Sequence, residues 1–413
     1  MRAPDLTARL EPVLDMDGAI ALLRRVVGCD SVTGNEADVA AILADELRGL
    51  GAADVSLRDF LPGRPNAWGR RQGGAGGPHI LLVGHTDTVH AKGWRERWAG
   101  TARESPFGGA IVDGDLWGRG AADLKAGLCT TIEAVRLLDR AGVALAGPVT
   151  FAFVGDEESG EPGTGISAGM RAFAGLIESG EIARPDFAIY VEPTELNVYV
   201  AQMGFFIADI VVTGRSAYFG VPEQGVDALK ATHSVLSALW AHSATLEAGP
   251  DHPLVGSSFL LVTGVNGGGY IAVPGVCSLS LIRKLRPGES LDEARAALEK
   301  AIHGAPVDPV ISITIDYPAG RDHAIGGTPT EVDAASPTVR RLMACMAASA
   351  PQRARARGAP FWSEAPFLTR LGVPTVYCAP GDISICHTLE ERVPIEEYRR
   401  GILGLAAFLA GAE

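Results

Sequence analysis

The stretch VTFAFVGDEESGE, residues 149–161, constrains the fold of this chain more than any other part of its sequence. Val149–Val154 is apolar except for Thr150, and a glycine follows it, which predicts a strand buried within a sheet. Four acids lie within the next seven residues: Asp156, Glu157, Glu158 and Glu161. Because like charges repel and burial disfavours the charged form of a carboxylate, this pattern predicts a positive charge beside them.

Similar apolar strands alternate with helices over most of the chain. Strands are predicted at 79–85, 149–154, 187–192 and 374–381, and helices at 18–27, at 36–50, from 124 and at 336–348. Thr33 and Glu36 have the spacing of a capping box at the start of the second helix. Strands that alternate with helices are typical of an α/β domain built on a mostly parallel sheet.

The middle of the chain has a different pattern. Strands of the longer, half-exposed kind are predicted at 205–214, 259–269, 277–285 and 310–318, with amphipathic helices at 225–244 and 290–304 among them. This pattern predicts an inserted α+β domain that resembles a ferredoxin-like split βαβ unit. We place the insert at 204–318, inside a first domain formed by 1–203 and 319–413.

The charge balance and the apolar segments exclude several classes of protein. With 36 Lys and Arg against 49 Asp and Glu, the net charge of −13 argues against a nucleic-acid or anionic-membrane partner. No apolar segment approaches the about 18 residues of a transmembrane helix, and the N-terminus has no signal-peptide pattern. The six cysteines lack CxxC spacing and are predicted to be reduced, which favours a cytoplasmic protein.

Each predicted strand of the first domain delivers an acid or a histidine at its carboxyl end. His85 ends one strand, Glu192 ends another, and His387 follows a third after a short loop, while Asp123 opens the long helix. Ligands of open α/β sheets bind at these strand ends. Two histidines with several carboxylates suit Zn, Mn, Co or Ni, and the absence of candidate Cys ligands argues against a purely structural zinc site. The acids after Val154 are therefore predicted to face divalent cations.

Six motifs, in this order along the chain, resemble those of the M20 metallopeptidase/amidohydrolase family: HTDTV, GRGAADLKAGL, DEESG, VEPT, SEAPF and CHTLEE. The resemblance covers nearly the whole chain, including the inserted domain. Members of this family include acetylornithine deacetylase, succinyl-diaminopimelate desuccinylase and carboxypeptidase G. The resemblance implies a small-molecule substrate, one or two divalent ions per subunit (Zn, Mn or Co), and a homodimer or higher homo-oligomer formed through the inserted lid domain.

The resemblance also implies a role for each motif residue. Asp87 would orient the imidazole of His85 from outside the ligand set. Glu157 would be the general base that takes a proton from a water molecule and passes it to the leaving nitrogen. In the family a cis peptide follows the aspartate that binds both metal ions, and here that peptide is Asp123–Leu124. The implied ligands are His85 and Glu192 for one metal ion, Glu158 and His387 for the other, and Asp123 for both.

The inserted domain departs from the family pattern. Family members have a His, often supplied by the partner subunit, where this chain has Tyr218, and that His stabilises the oxyanion. The usual Asn falls on Ile271, and the Asp of a D-x-R pattern is missing, which leaves Arg283 or Lys284 as the candidate carboxylate binder. Glu364 in WSEAPF matches a family position near the substrate, with a capping or salt-bridge role as the alternative. The candidates for substrate binding are therefore Tyr218, Ile271, Arg283 and Glu364.

Three functions remain open. The first is hydrolysis of a C–N bond in a small carboxylate-bearing substrate by an N-acyl amino acid deacylase or small carboxypeptidase. The second is hydrolytic deamination of an amino-substituted aromatic acid, as by the family's nitroanthranilate aminohydrolase. The third, a non-catalytic metal-bound scaffold, is disfavoured because a scaffold does not need the base Glu157. Family frequency favours the deacylase, whereas the deaminase would suit an aromatic and apolar lid made of Tyr218, Phe219, Tyr270 and Ile271.

Overall fold

The computed structural model describes residues 1–158 and 163–413, so the predicted loop residue Glu161 lies outside the described residues. The chain forms two compact units. The larger consists of Met1–Val200, Val332–Arg357 and Ser363–Glu413, and the smaller of Ala201–Glu331 with Gly358–Trp362. The predicted class, an α/β domain with an inserted α+β domain, is confirmed.

The larger unit is built on a mixed sheet with parallel strands at its centre. Ile80–His85 lies between Val149–Val154 and Phe187–Tyr190 and is parallel to both, and Thr375–Tyr377 is parallel to Phe187–Tyr190. Every residue of these four strands is buried, as their unbroken apolar runs predict. In order, the strands are Ala53–Leu61, Arg64–Arg71, Val149–Val154, Ile80–His85, Phe187–Tyr190, Thr375–Tyr377 and Val198–Gln202, and Ala356–Ala359 also pairs with Val198–Gln202.

The helices of the larger unit cover this sheet and supply most of its remaining core. The longest, Ala126–Ala141, is buried along most of its length and packs against Ile395–Leu409. A small antiparallel sheet is formed by Ala110–Val112, Asp115–Trp117 and Arg392–Pro394. The α-helices are Ala3–Leu10, Met16–Val27, Ala37–Gly49, Trp94–Trp98, Ala126–Ala141, Ala168–Glu178, Pro337–Ser349, Ala365–Thr369 and Ile395–Leu409.

The capping box predicted for the start of the helix at 36–50 is wrong. That helix begins at Ala37, with Glu36 in the N-cap position but making no side-chain cap. The Glu36 carboxylate instead accepts hydrogen bonds from the guanidinium of Arg64, with the Nε–Oε2 distance at 3.0 Å. Thr33 lies within hydrogen-bond distance of the Asp87 carboxylate. The side chains of Thr33 and Glu36, which the local spacing assigned to the helix end, therefore bind partners from other parts of the chain.

The smaller unit is an antiparallel sheet with two helices packed on it. The sheet order is Phe259–Gly267, Val276–Leu285, Gly204–Thr213 and Ser312–Asp316, and the helices are Ala228–Glu247 and Leu291–His303. Burial alternates with a period of two along Val276–Leu285, so one face supplies the core of the unit. Gly326–Gly327 adds to the same sheet by pairing with Gly204–Thr213. For this reason the smaller unit extends beyond the predicted bounds of 204–318.

Among the described residues, none of the helices combines the length and the apolar character needed to cross a membrane.

Candidate metal and active site

The candidate residues of the larger unit gather at the carboxyl ends of its central strands. His85 is the last residue of Ile80–His85 and pairs with Val154, the last residue of the neighbouring strand. Glu157 and Glu158 follow that strand within four residues, and Glu192 lies two residues after Tyr190. Because these strands are parallel and adjacent, their ends bring the side chains to one edge of the sheet.

Two further candidates reach this edge from loops. Asp123 lies in the turn Ala121–Lys125, where its backbone angles are not helical, with φ of −116° and ψ of 91°. The turn follows Gly120, which is in the left-handed conformation with φ of 80°. The Asp123–Leu124 peptide is cis, as the family resemblance implied. His387 follows the turn Ile383–Ile385 and has a φ of 62°, also in the left-handed region.

Asp123 contacts both histidines with different oxygens. Its Oδ1 lies 3.1 Å from His85 Nε2, and its Oδ2 lies 3.1 Å from His387 Nε2. Glu158 Oε1 is 2.8 Å from the same nitrogen of His387, and Glu192 Oε1 is 3.9 Å from His85 Nε2. Two ligand groups therefore share one carboxylate, and in each group all candidate ligand atoms lie within 4.8 Å of one another.

Glu157 also lies within ligand distance. His85, Glu157 and Glu158 form a third group whose candidate ligand atoms lie within 4.8 Å of one another. Glu157 is half-buried, whereas Glu158 is buried. Both roles, base and ligand, are therefore compatible with the position of Glu157.

The electrostatics of the cluster show a deficit of positive charge. Burial and the charge of Asp123 raise the pKa of Glu192 to about 8. Burial raises the pKa of Glu157 well above its ordinary value, despite the neighbouring His85. Burial lowers the pKa of His387, but its hydrogen bonds to carboxylates outweigh this effect and raise the pKa to about 11. A divalent cation suits this set of imidazole and carboxylate donors once they are deprotonated.

Asp87 contacts His85 through its main chain rather than through its carboxylate. His85 Nδ1 lies 3.0 Å from the carbonyl oxygen of Asp87 and 3.8 Å from its nearest carboxylate oxygen. The carboxylate accepts hydrogen bonds from the backbone N–H groups of Glu157, at 3.3 Å, and Glu158, at 2.9 Å. The Asp87 carboxylate therefore holds the backbone of Glu157 and Glu158, the candidate base and a candidate ligand. The sequence predicted that the Asp87 side chain orients His85, but His85 is contacted by the Asp87 main chain instead.

Two contacts near Glu192 and Glu364 were not predicted from the sequence. Ser363 Oγ donates a hydrogen bond of 2.7 Å to Glu192 Oε1. Tyr190 Oη donates one of 2.7 Å to Glu364 Oε2, and Glu364 is fully buried. Burial raises the pKa of Glu364 to about 7. The only sequence signal for Ser363 was its place beside Glu364 in the SEAPF motif, since a serine alone does not reveal a partner 171 residues away.

The candidates of the smaller unit divide into exposed and buried residues. The side chains of Tyr218 and Ile271 are exposed, at 59% and 57%. Tyr218 packs against Phe219, with ring centroids 4.6 Å apart, and the Phe219 N–H donates to the carbonyl of Ile271. Arg283, in contrast, is only 2% exposed, and its guanidinium donates a hydrogen bond of 2.8 Å to Glu289. Arg283 is therefore placed to stabilise the smaller unit, which is a correction to its predicted role in binding a substrate carboxylate.

Residues 81–411 match the model of the peptidase family M20/M25/M40. The chain belongs to this family. The resemblance inferred from the six motifs is thereby confirmed, and the protein is a hydrolase of the M20 type. The likeness covers both the strand-end motifs and the inserted unit.

Two curated relatives of this M20 protein are deacylases by name. Succinyl-diaminopimelate desuccinylase of Methylobacterium radiotolerans is 30% identical over 245 residues, which are 57% of this chain and 58% of that relative. The match therefore spans little more than half of the relative's length. Acetylornithine deacetylase of Proteus mirabilis is 27% identical over 402 residues, which are 93% of this chain and 95% of the relative.

Solved structures share the fold over nearly the whole chain. The aminopeptidase PepT of Bacillus cereus has a TM-score of 0.73 at 18% identity and covers 96% of this chain and 99% of its own. An M20 metallo-carboxypeptidase of Sulfolobus solfataricus has a TM-score of 0.72 at 16% identity, with 95% and 98% covered. The YXEP protein of Bacillus subtilis, described as a dinuclear metal binding peptidase, has a TM-score of 0.63 at 14% identity, with 96% and 97% covered. At these identities the likeness concerns the fold.

Proposed function

We propose that this M20 hydrolase is an N-acyl amino acid deacylase that cleaves a C–N bond in a small carboxylate-bearing substrate. The observation that supports it best is the pair of contacts from Asp123 to His85 and His387, with Glu157 within ligand distance of the same cluster. Relatives named as a desuccinylase and a deacetylase favour this substrate class over a protein peptide bond.

The residues present fit two divalent ions. His85, Glu192 and Asp123 would hold one ion, and Asp123, Glu158 and His387 the other, which are the donor types that Zn, Mn and Co accept. When bound, such ions polarise a carbonyl oxygen and lower the pKa of water. Asp87 and Ser363 keep the ligands in place through the hydrogen bonds that they make to Glu158 and Glu192.

Glu157 is the proposed general base. Its carboxylate accepts a proton from the attacking water and then delivers this proton to the nitrogen that leaves. Its backbone N–H is held by Asp87 Oδ1, so the side chain starts from a fixed position. A base is needed for deacylation and for deamination alike, and it is the feature that separates both from a non-catalytic scaffold.

Hydrolytic deamination of an amino-substituted aromatic acid is the second candidate function. The observation that favours it is the exposed aromatic pair Tyr218 and Phe219 beside Ile271 on the smaller unit. Exposed aromatic rings offer a flat substrate a stacking surface. A phenol donates one hydrogen bond but does not carry the positive charge of an imidazolium, so Tyr218 would stabilise an oxyanion less well than His.

The expected result of a substrate screen is turnover of N-acyl amino acids. The metal-free protein would be loaded with Mn, Zn or Co and offered a panel of N-acetyl and N-succinyl amino acids, dipeptides and aminobenzoates. Release of the free amino acid or of ammonia would be measured. Turnover of aminobenzoates alone would replace the deacylase by the deaminase, and no turnover of any compound with any of the metals would favour the scaffold.

Variants of Tyr218 extend this experiment. If the deacylase proposal is correct, Tyr218→His is expected to raise kcat on the best amide, because an oxyanion donor is worth about 3–4 kcal/mol. If the substrate is aromatic, Tyr218→Phe keeps most of the binding and Tyr218→Ala weakens it by about 1–2 kcal/mol. A His variant that loses its amide activity contradicts the deacylase proposal. Val310→His, at an exposed position elsewhere on the smaller unit, controls for an added surface imidazole.

A homodimer formed through the smaller unit is also part of the proposal, as is a cytoplasmic location. Phe259–Gly267 is at the edge of its sheet and presents exposed apolar side chains, among them Leu261 at 54% and Val265 at 52%. On the helix Ala228–Glu247, Trp240 is 56% exposed. An apolar edge strand of this kind favours pairing with another chain, and homodimers with twofold symmetry are the commonest oligomers.

Light scattering at micromolar concentration is expected to give the mass of a dimer. Leu261→Lys combined with Val265→Lys is expected to shift the mass to that of a monomer, because charges on the edge strand oppose pairing. Ile111→Lys, a substitution of an exposed apolar residue in the larger unit, is the matched control and should remain dimeric. A wild-type protein that is monomeric and fully active would refute the dimer.

A further inference from the structure

Arg119 and Glu391 form an ion pair in the interior of the larger unit. Arg119 is 2% exposed and Glu391 is not exposed at all. Arg119 Nη1 pairs with Glu391 Oε2, and Arg119 Nη2 donates a hydrogen bond of 3.1 Å to the carbonyl of Thr388. The two residues are separated by 272 positions in the sequence. Burying two charges is costly unless the pair makes further hydrogen bonds.

The second oxygen of Glu391 binds the backbone that carries Asp123. Oε1 accepts hydrogen bonds from the N–H of Ala122, at 3.2 Å, and from the N–H of Asp123 itself, at 3.1 Å. Every polar atom of the Glu391 carboxylate is thus engaged, either with Arg119 or with the turn Ala121–Lys125. An ion pair that served stability alone would not need to hold two successive N–H groups of a ligand-bearing turn.

The same pair also reaches the segment that carries His387. Thr388 follows His387 directly and Glu391 lies four residues after it, so one short segment supplies both a candidate ligand and the carboxylate that holds Asp123. Each oxygen of Asp123 lies 3.1 Å from a different imidazole nitrogen. Because a bridging carboxylate must be held to within about 0.5 Å of its working position, both segments have to be fixed relative to each other.

We propose that Glu391 is a positioning residue for Asp123 and that, together with Arg119, it fixes the Asp123 turn against the His387 segment. This inference rests on the proposed function, because it assumes that Asp123 and His387 bind divalent metal. Glu391 does not itself join the ligand groups. Its effect on the metal passes through the backbone of Asp123.

The test is a titration of the metal-free, full-length protein with Co²⁺ in the presence of a competing chelator. Glu391→Asp keeps the negative charge but shortens the side chain, whereas Glu391→Gln removes the charge. Both variants are expected to weaken Co²⁺ binding by about 10- to 100-fold and to change the visible absorption of bound Co²⁺, since hydrogen-bond partners of ligands have effects of this size. Glu133→Gln is the matched control, because Glu133 is also buried and paired with an arginine, Arg136, but lies outside the ligand groups.

Three results would overturn the proposal. If Glu391→Asp binds Co²⁺ as tightly as the wild type, then charge rather than position is what Glu391 supplies. If Glu133→Gln weakens binding as much as the Glu391 variants do, then the effect is one of general stability. If the wild type binds no Co²⁺, the proposed function fails and the inference fails with it, which separates this result from the first two.

Folding is followed by circular dichroism of the metal-free proteins. Should neither Glu391 variant fold, Arg119→Lys takes their place, since it keeps the positive charge but gives up the planar pair of donors that Glu391 and Thr388 share. Weaker Co²⁺ binding than in Glu133→Gln is then the expected result. Binding equal to that of Glu133→Gln refutes the proposal.

Discussion

Glu157→Gln is expected to lower kcat by about 10²- to 10⁴-fold, the usual contribution of a general base, while the protein keeps its bound metal. The amide has nearly the shape of the carboxylate but cannot accept a proton from water at neutral pH. Because the Asp87 carboxylate holds the backbone of residue 157 and not its side chain, the local structure should be unchanged. The measurements are kcat on the best substrate of the screen and the metal content after dialysis.

The neighbouring residue provides the matched control for this prediction. Glu158→Gln makes the same chemical change one residue further along the chain, at a carboxylate that lies 2.8 Å from His387 Nε2. It is expected to lose metal as well as activity. Since Glu157 belongs to a third group of candidate ligands with His85, a Glu157→Gln variant that loses its metal would mean that the base and the ligand have been assigned the wrong way round.

Asp123→Asn is expected to lower metal affinity more than a mutation of a residue that only hydrogen-bonds to a ligand, which typically lowers it by about 10- to 100-fold. The two oxygens of Asp123 face two different histidines, and an asparagine has only one oxygen to offer. Its NH₂ group is a donor and does not bind a cation, so one of the two ligand groups loses a member. Metal content measured after dialysis, and the affinity for Co²⁺, are the readouts, and activity should disappear together with the metal.

Asp186→Asn is the control for Asp123→Asn. Asp186 accepts a hydrogen bond of 2.8 Å from the N–H of His79, just before the strand whose last residue is His85, so it acts at the opposite end of that strand. This variant should bind metal as the wild type does. An Asp123→Asn protein with wild-type metal content and affinity would show that Asp123 does not bridge two ions.

Part of the site could be predicted from the sequence because its signal is local. A few adjacent residues, the apolar run Val149–Val154 and the acids after it, predict a buried strand with acidic side chains at its carboxyl end. The same holds for Ile80–His85, whose last residue is a histidine. Parallel strands then bring their ends to one edge whatever the details of packing. Asp123 and His387 were candidates because they lie beside a predicted helix start and a predicted strand end, and the family motifs then gave each of them a role.

Other elements of the fold were missed because their pattern becomes meaningful only when they are paired. Ala53–Leu61 is a largely exposed strand with many charged residues, and it is held by its antiparallel partner Arg64–Arg71 rather than by an apolar run of its own. Apolar and polar side chains alternate over 53–58, but Leu57 in this alternation is exposed, so the period of two does not mark a face buried in the core. Similarly, Gly326–Gly327 is a strand only because it lies beside Gly204–Thr213.

The sequence by itself determined the family, the two kinds of domain and the set of candidate metal ligands. Only the tertiary structure decided what those residues touch: Thr33 lies beside Asp87 instead of capping a helix, and Arg283 is buried against Glu289 instead of being open to a substrate. Contacts between residues far apart in the sequence do not change the local hydrophobic periodicity. Examples are Thr33–Asp87, Ser363–Glu192 and Arg119–Glu391, whose members are 54, 171 and 272 positions apart. Periodicity reports which face of an element is buried, whereas the pairing of polar groups depends on which elements the folded chain brings together.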